Sequence, residues 1–208
     1  MVVILAPADL TSSPTRSSPC GVTPALLDYM LDGDGIMHTV CMGTRECTPS
    51  IALRDIAQEN WRDALALSLD PAQLRFVSDT TYPVALTLAK AYIQPGGLPV
   101  APFGIYTGAE MVGFFALTYE PNSVDRYLLM HFLIDRRHQR RGYGMGALHA
   151  LVALLRERFP TCESVSLTVH PDNHPAQRLY IRFGFEDTGT RLFGEPCYRL
   201  RVPCLRQA

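Results

Sequence analysis

The sequence predicts a mixed α/β domain with a central sheet, and three observations support this prediction. Residues 127–134 form a nearly continuous apolar run, which is typical of a strand buried on both faces of a sheet. Apolar runs flank Thr107-Gly108, a pair that indicates a hairpin turn. After residue 142, apolar side chains recur at i, i+3, i+4 and i+7, as in a helix that packs one face on the sheet. These side chains are Leu148, Leu151, Val152 and Leu155.

From residue 50 onward, strand and helix patterns follow one another in mixed order. Trp61 and Leu65 share a face of the first helix, and Pro71 precedes a second, short helix. Strands are expected over residues 50–56, 103–106, 111–119, 127–134, 165–169, 186–189 and 197–202. Helices are expected over residues 60–69, 72–78, 83–92 and 175–183, besides the helix after residue 142.

The first 48 residues differ in character from the rest. Ser, Thr and Pro cluster between residues 10 and 19, and charged side chains are sparse. We therefore expect an N-terminal extension over residues 1–48, poorly ordered or foreign to the domain, and one domain over residues 49–208. Met42 lies just upstream of that domain, so an alternative start of translation there is a further hypothesis.

Composition excludes several classes of function. The formal net charge is −1, so no global field recruits nucleic acid or a membrane. Six cysteines are scattered without a Cys-x-x-Cys pair or histidines at metal-binding spacing, and we expect no metal. No apolar run approaches the roughly 20 residues of a spanning helix, and no secretory signal is evident. We expect a cytoplasmic protein.

A basic, glycine-rich segment is the most informative feature of the chain. It reads His-Gln-Arg-Arg-Gly-Tyr-Gly-Met-Gly over residues 138–146 and runs directly into the amphipathic helix. Closely spaced glycines let the backbone approach a ligand, and the unpaired N–H groups of a helix start favour an anion. Arg140 and Arg141 add positive charge. The segment therefore predicts a pyrophosphate cradle.

Two well-known phosphate-binding loops fit this segment poorly. The P-loop run Gly-x-x-x-x-Gly-Lys-Ser/Thr is absent. Gly142, Gly144 and Ala147 formally match the dinucleotide fingerprint, but its first glycine follows a strand almost directly, whereas residues 135–141 intervene here. Too little chain follows to complete a doubly wound sheet. A glycine-rich helix start without a ligand is the remaining alternative.

A second motif lies about thirty residues downstream, where the chain reads Asn-x-x-Ala-x-x-x-Tyr-x-x-x-Gly-Phe over residues 173–185. With Gln139-x-x-Gly142-x-Gly144 before it and a strand between, the sequence resembles the GNAT superfamily of N-acetyltransferases. That resemblance implies a central mixed, mostly antiparallel sheet of six to seven strands, flanked by about four helices. It also implies acetyl-CoA as co-substrate, and a homodimer.

The resemblance extends over roughly residues 49–201, toward bacterial diamine and spermidine/spermine acetyltransferases. Two features depart from that branch. It commonly has arginine where this chain has His131, and Gln-Gly-Lys-Gly-Tyr-Gly where this chain has Gln-Arg-Arg-Gly-Tyr-Gly. The segments that carry the similarity include residues 51–56, 59–61, 73–78, 103–106, 112–114, 132–135 and 194–195.

The resemblance assigns roles to individual residues. Tyr180 would donate a proton to the departing thiolate; without the family it would be interpreted as a core residue of an amphipathic helix. Backbone N–H groups around residues 132–134 would stabilise the oxyanion. The residues expected to bind acetyl-CoA are Phe132, Leu133, Ile134, Gln139, Arg140, Arg141, Gly142, Tyr143, Gly144, Met145, Asn173, Ala176 and Tyr180.

The implied reaction is direct attack of a primary amine on acetyl-CoA, and it needs a base. An alkylamine with a pKa near 10.4 is only about one part in a thousand deprotonated at neutral pH. Candidate bases are Glu120, His131 and Asp135. Each has a structural alternative: Glu120 ends a strand, His131 is a satisfied core histidine, and Asp135 fixes the loop by pairing with Arg136 or Arg140.

The resemblance favours a small polyamine or diamine as substrate. A polycation needs carboxylates, but those available form no cluster in the sequence; they are Glu59, Asp63, Glu110, Glu120, Asp125 and Asp135. Two alternatives stay open. One is a protein or peptide N-acetyltransferase, and the other is a module that senses acetyl-CoA without turnover, against which the presence of Tyr180 argues.

Overall fold

The structure is a computed structural model that describes residues 29–31, 37–39, 50–77, 82–192 and 194–203. Most of the expected extension over residues 1–48 therefore lies outside the described residues. Within it, strands β1 (Tyr29–Leu31) and β2 (Met37–Thr39) pair antiparallel. The division into an extension and a domain at residue 49 stays a prediction.

A seven-stranded sheet forms the centre of the molecule, with the strands in the order β3-β4-β5-β6-β7-β9-β8. Neighbours run antiparallel except β6 and β7, which run parallel. The predicted mixed, mostly antiparallel sheet is thus confirmed. Its strands are β3 (Ala52–Asp55), β4 (Val100–Thr107), β5 (Glu110–Tyr119), β6 (Tyr127–Ile134), β7 (Ser164–Thr168), β8 (Glu186–Leu192) and β9 (Glu195–Arg201).

Among the described residues, four α-helices accompany the sheet: α1 (Trp61–Ala66), α2 (Pro83–Ile93), α3 (Tyr143–Arg158) and α4 (His174–Phe183). None of the described helices is long and apolar enough to cross a membrane. The helix expected over residues 60–69 ends three residues early.

The short helix expected over residues 72–78 is a 3₁₀ helix, Pro71–Phe76, and Val77 follows it as the C-cap. A capping box begins this helix. The Asp70 carboxylate accepts a hydrogen bond from the Ala72 N–H, and the Gln73 side chain accepts one from the Asp70 N–H.

The hydrophobic core has two parts. The larger cluster contains Phe115, Leu148 and Tyr180, so it joins the sheet to α3 and α4. The smaller cluster contains Val84 and Phe114 and joins the sheet to α1 and α2. Phe114 and Phe115 are neighbours in β5 and enter different clusters, because successive side chains of a strand point to opposite faces. The predicted amphipathic face of α3 is confirmed, since Leu148, Leu151 and Leu155 are fully buried and Val152 packs against the same cluster.

A β-bulge interrupts β6. Phe114 pairs with Leu133 and Ala116 pairs with Met130, so that Phe115 alone faces the two residues His131 and Phe132. His131 has a left-handed backbone conformation, with φ +50°. The bulge changes the alternation expected from the sequence, as Phe132 packs against the larger cluster that also contains Tyr127 and Leu129.

Candidate functional site

The loop between β6 and α3 is anchored by a buried carboxylate. Asp135 is fully buried and accepts hydrogen bonds from the Ser68 N–H (2.9 Å) and from the N–H and Nε of Arg137 (2.9 and 2.8 Å). Burial alone would raise the pKa of Asp135, but the hydrogen bonds from Arg137 and Ser68 lower it to about 2. The carboxylate is thus ionised and fixes the loop, with Arg137 as its partner rather than the expected Arg136 or Arg140.

Gln139 fastens the same loop at a second point. Its side-chain amide exchanges two hydrogen bonds with that of Gln73 (2.9 and 3.1 Å), and its Nε2 also donates to the Ile134 carbonyl at 2.9 Å. The side chain therefore ties the loop to the end of β6 and to the 3₁₀ helix. Sequence reasoning assigned no role to Gln73 or Ser68, which lie 66 and 67 residues from their partners and carry no local signal.

The start of α3 offers free backbone donors toward solvent. Arg140 and Gly142 have φ values of +62° and +82°, and both are exposed together with Arg141. Gly142 is the N-cap and has no side chain, so the first N–H groups of α3, beginning at Tyr143, receive no capping side chain. Two exposed guanidinium groups beside uncapped N–H groups form an arrangement that fits a pyrophosphate.

The structure brings the two sequence motifs together. A Cβ atom on Gly144 would lie 3.1 Å from a methyl group of Leu179, the residue before Tyr180. A side chain at Gly144 would therefore crowd Leu179 where α3 packs against α4. Met145, the third residue of α3, is partly buried.

Helix α4 is capped at both ends and presents Tyr180 to β6. The Asn173 Oδ1 accepts a hydrogen bond from the Ala176 N–H at 3.3 Å, and Gly184 ends the helix with φ +113°. Ala176 packs against the larger core cluster. The Tyr180 ring meets that of Phe132 edge to face, with a centroid distance of 6.2 Å. Burial raises the pKa of Tyr180, so the phenol remains protonated at neutral pH.

Strand β6 continues past the end of β7 at this point. Leu128 pairs with Ser166 in the parallel register, which brings Thr168, the last residue of β7, level with Met130. Residues 131–134 of β6 therefore extend beyond β7, while on their other side Leu133 and Ile134 pair with β5. In the part of the chain that the structure describes, the edge of β6 that contains Phe132 is thus without a strand partner on the β7 side.

His131 lies in the bulge and contacts α2. Its Nδ1 is hydrogen-bonded to the Oγ1 of Thr87, a residue that is fully buried. Burial, together with the positive charge of Lys90, lowers the pKa of His131 to about 4. The imidazole is consequently neutral at pH 7, directly next to the residue that contacts Tyr180.

Glu120 lies at the opposite end of β6. It is in the turn between β5 and β6, where its carboxylate forms an exposed ion pair with Arg126 at 2.8 Å. Arg126 precedes Phe132 by six residues of extended chain, or about 20 Å at 3.3 Å per residue. The structure thus does not bring Glu120 to Tyr180. Glu120 lies in the turn before β6, whereas Phe132, which contacts Tyr180, lies near the other end of that strand.

Two of the other carboxylates considered for the substrate have contacts of their own. Asp125 lies in the same turn as Glu120, and Glu110 lies 3.2 Å from the Nε2 of His138. In the described part of the chain, no three His, Cys, Asp or Glu side chains gather as a metal site requires.

Comparison with known proteins places the chain in a family. Residues 53–185 match the model of the Acetyltransferase (GNAT) family. A spermine/spermidine N(1)-acetyltransferase of Bacillus subtilis is 34% identical over 142 residues, which cover 67% of this chain and 90% of that protein.

Solved structures share the fold. The GNAT domain of S. lividans PAT matches with a TM-score of 0.58 and 14% identity, covering 87% of this chain and all of that chain. A PaiA N-acetyltransferase from Thermoplasma acidophilum, solved with coenzyme A, matches with a TM-score of 0.55 and 14% identity over 73% of this chain and 99% of that one. The chain therefore belongs to the GNAT family of acetyltransferases and is an acyltransferase.

Proposed function

We propose that the protein transfers the acetyl group of acetyl-CoA to a primary amine of a small polyamine or diamine. The main observation in support is that the two sequence motifs are close in space. Gly144, at the uncapped start of α3, lies next to Leu179 of α4, and Leu179 directly precedes the buried Tyr180. The 34% identity to a spermine/spermidine N(1)-acetyltransferase supports the substrate class.

The residues around the loop fit the binding of acetyl-CoA. Arg140 and Arg141 would hold the pyrophosphate together with backbone N–H groups of residues 142–145, and Asn173 and Ala176 would border the pantetheine arm. Bound acetyl-CoA supplies an activated acetyl thioester. The free edge of β6 at residues 132–134 would provide backbone N–H groups where negative charge develops.

Tyr180 is the proposed general acid. A phenol that remains protonated through the physiological pH range can donate its proton to a departing thiolate, and the buried position beside Phe132 keeps it in that form. Because the Tyr180 phenol is already protonated at neutral pH, the amine must lose its proton to another group.

His131 is the proposed base. Asp135 is occupied by Ser68 and Arg137, and Glu120 lies at the far end of β6. The His131 imidazole is neutral at pH 7 and lies on the α2 side of β6, in the part of the strand that extends beyond β7. It can therefore accept a proton from the amine, directly or through a water molecule.

The test is release of CoA from acetyl-CoA by the purified full chain, with spermidine, spermine, putrescine, a lysine peptide or no amine in parallel. We expect a polyamine or diamine to stimulate release over the amine-free control. Stimulation by the lysine peptide alone would overturn the small-amine proposal in favour of a protein acetyltransferase. No stimulation by spermidine, spermine or putrescine, despite tight acetyl-CoA binding, would contradict the polyamine or diamine class.

A further inference from the structure

We infer that Thr87 fixes the tautomer of His131, so that Nδ1 carries the proton and Nε2 carries the free lone pair that a base needs. Thr87 is then a positioning residue for the amine-activating imidazole. This inference rests on the proposed function for its catalytic meaning, but the tautomer itself is a property of the protein without substrate.

The hydrogen bonds of the Thr87 hydroxyl determine the direction of its contact with His131. Thr87 Oγ1 donates to the carbonyl of Pro83 at 2.7 Å, the residue four positions earlier in α2. A hydroxyl has a single hydrogen, and it is used in this bond. The same Oγ1 is hydrogen-bonded to the Nδ1 of His131, so there the hydroxyl can only accept. His131 must therefore donate through a protonated Nδ1.

The charge state of the imidazole completes the assignment. Burial and Lys90, which lies three residues after Thr87 in α2, keep His131 neutral at pH 7. A neutral imidazole has one N–H, and the other nitrogen is an acceptor. With the proton on Nδ1, the acceptor is Nε2. The opposite tautomer would set two lone pairs against each other in a partly buried contact, which is unfavourable.

The position of His131 in β6 links this tautomer to the proposed reaction. The bulge directs Phe132 to the larger cluster with Tyr180 and leaves His131 on the side of α2. Both residues belong to the part of β6 that extends beyond β7. Thr87, which accepts the hydrogen bond from Nδ1, therefore orients the imidazole that is the proposed general base. Carboxylates and carbonyls orient histidines in the same way elsewhere.

The tautomer can be measured directly by nitrogen NMR of the full chain labelled with ¹⁵N-histidine, at neutral pH and without ligand. His131 is one of six histidines, and its signals are assigned by their loss in His131→Gln. We expect a protonated Nδ1 and an unprotonated Nε2 in the unmodified protein. A spectrum with the proton on Nε2 would overturn the inference whatever the variants do.

Variants of Thr87 test the link to catalysis. Thr87→Val keeps the shape but removes the acceptor, and we expect a mixed or reversed tautomer and a kcat lower by about tenfold or more, with the KM for acetyl-CoA unchanged. Thr87→Ser restores the hydroxyl and should recover the tautomer and most of the lost kcat.

Thr118→Val is the matched control, because Thr118 Oγ1 also donates to a proline carbonyl, that of Pro99 at 2.9 Å, near the other end of the sheet. An equal loss of kcat in Thr87→Val and Thr118→Val would assign Thr87 a structural role only and refute its positioning role. If the unmodified protein acetylates none of the amines, the proposed function fails while the tautomer assignment is still decided by the spectrum.

Discussion

Replacing the buried Asp135 with asparagine should lower the free energy of unfolding by about 2 kcal/mol at pH 7. The pKa of Asp135 falls from an ordinary value of 3.8 to about 2 in the folded protein. Each unit of pKa corresponds to about 1.4 kcal/mol, so the ionised carboxylate favours the folded state by about 2 kcal/mol. The physical source is the hydrogen bonds from Ser68 and Arg137, some of which an amide cannot accept.

The pH dependence of this difference identifies its cause. A carboxyl whose pKa is depressed by folding stabilises the protein above its unfolded pKa and loses that effect as the pH falls through the folded pKa. We expect the free energies of unfolding in urea of the unmodified protein and of Asp135→Asn to differ by a constant amount from pH 7 down to about 4. The difference should shrink between about pH 4 and pH 2, the window set by the ordinary and the folded pKa of Asp135.

An exposed carboxylate provides the control. Asp55 is 59% exposed and pairs with Arg158 at 2.9 Å, so Asp55→Asn should cost less than about 1 kcal/mol. A difference for Asp135→Asn below about 0.5 kcal/mol at pH 7, or one that persists unchanged to about pH 2, would refute the account of the anchored loop.

Three further substitutions test the site and the sheet. Tyr180→Phe should lower turnover by about 10²-fold or more with little change in acetyl-CoA affinity, and unchanged turnover would remove Tyr180 from its role as acid. Gly142→Val should abolish acetyl-CoA binding measured by calorimetry, whereas Gly189→Val, at φ +72° in open space, carries similar backbone strain and should bind normally. Gly113→Ala should destabilise the protein to urea by about 1–3 kcal/mol, because its Cβ would lie 2.5 Å from the Leu133 carbonyl oxygen.

Local patterns in the sequence predict the elements of the fold well. The apolar run of β6 and the i, i+3, i+4, i+7 spacing of α3 depend only on neighbouring residues, and both elements form as expected. The short helix near Pro71 is less well predicted, since it is a 3₁₀ helix that begins after a capping box and ends at Phe76, two residues before the expected end. Element type is thus readable from periodicity, while boundaries depend on partners far along the chain.

The candidate site depends on contacts that sequence spacing does not encode. Thr87 meets His131 across 44 residues, and Ser68 meets Asp135 across 67, with no motif to mark either pair. Glu120 shows a different limit of sequence spacing, because it is close to β6 along the chain. The hairpin turn instead places Glu120 at the far end of the strand.

The bulge in β6 determines which of two neighbouring residues faces Tyr180. Before the bulge, the odd-numbered residues Tyr127 and Leu129 belong to the cluster beneath α3 and α4, and after it the even-numbered Phe132 and Ile134 pack against that cluster. Uninterrupted alternation would have turned His131 toward α4 and Phe132 toward α2. One extra residue therefore reverses the assignment: it places an apolar ring against the proposed acid and brings the imidazole to the buried hydroxyl of α2. Since this depends on the pairing of β6 with β5, no motif within β6 alone could have shown it.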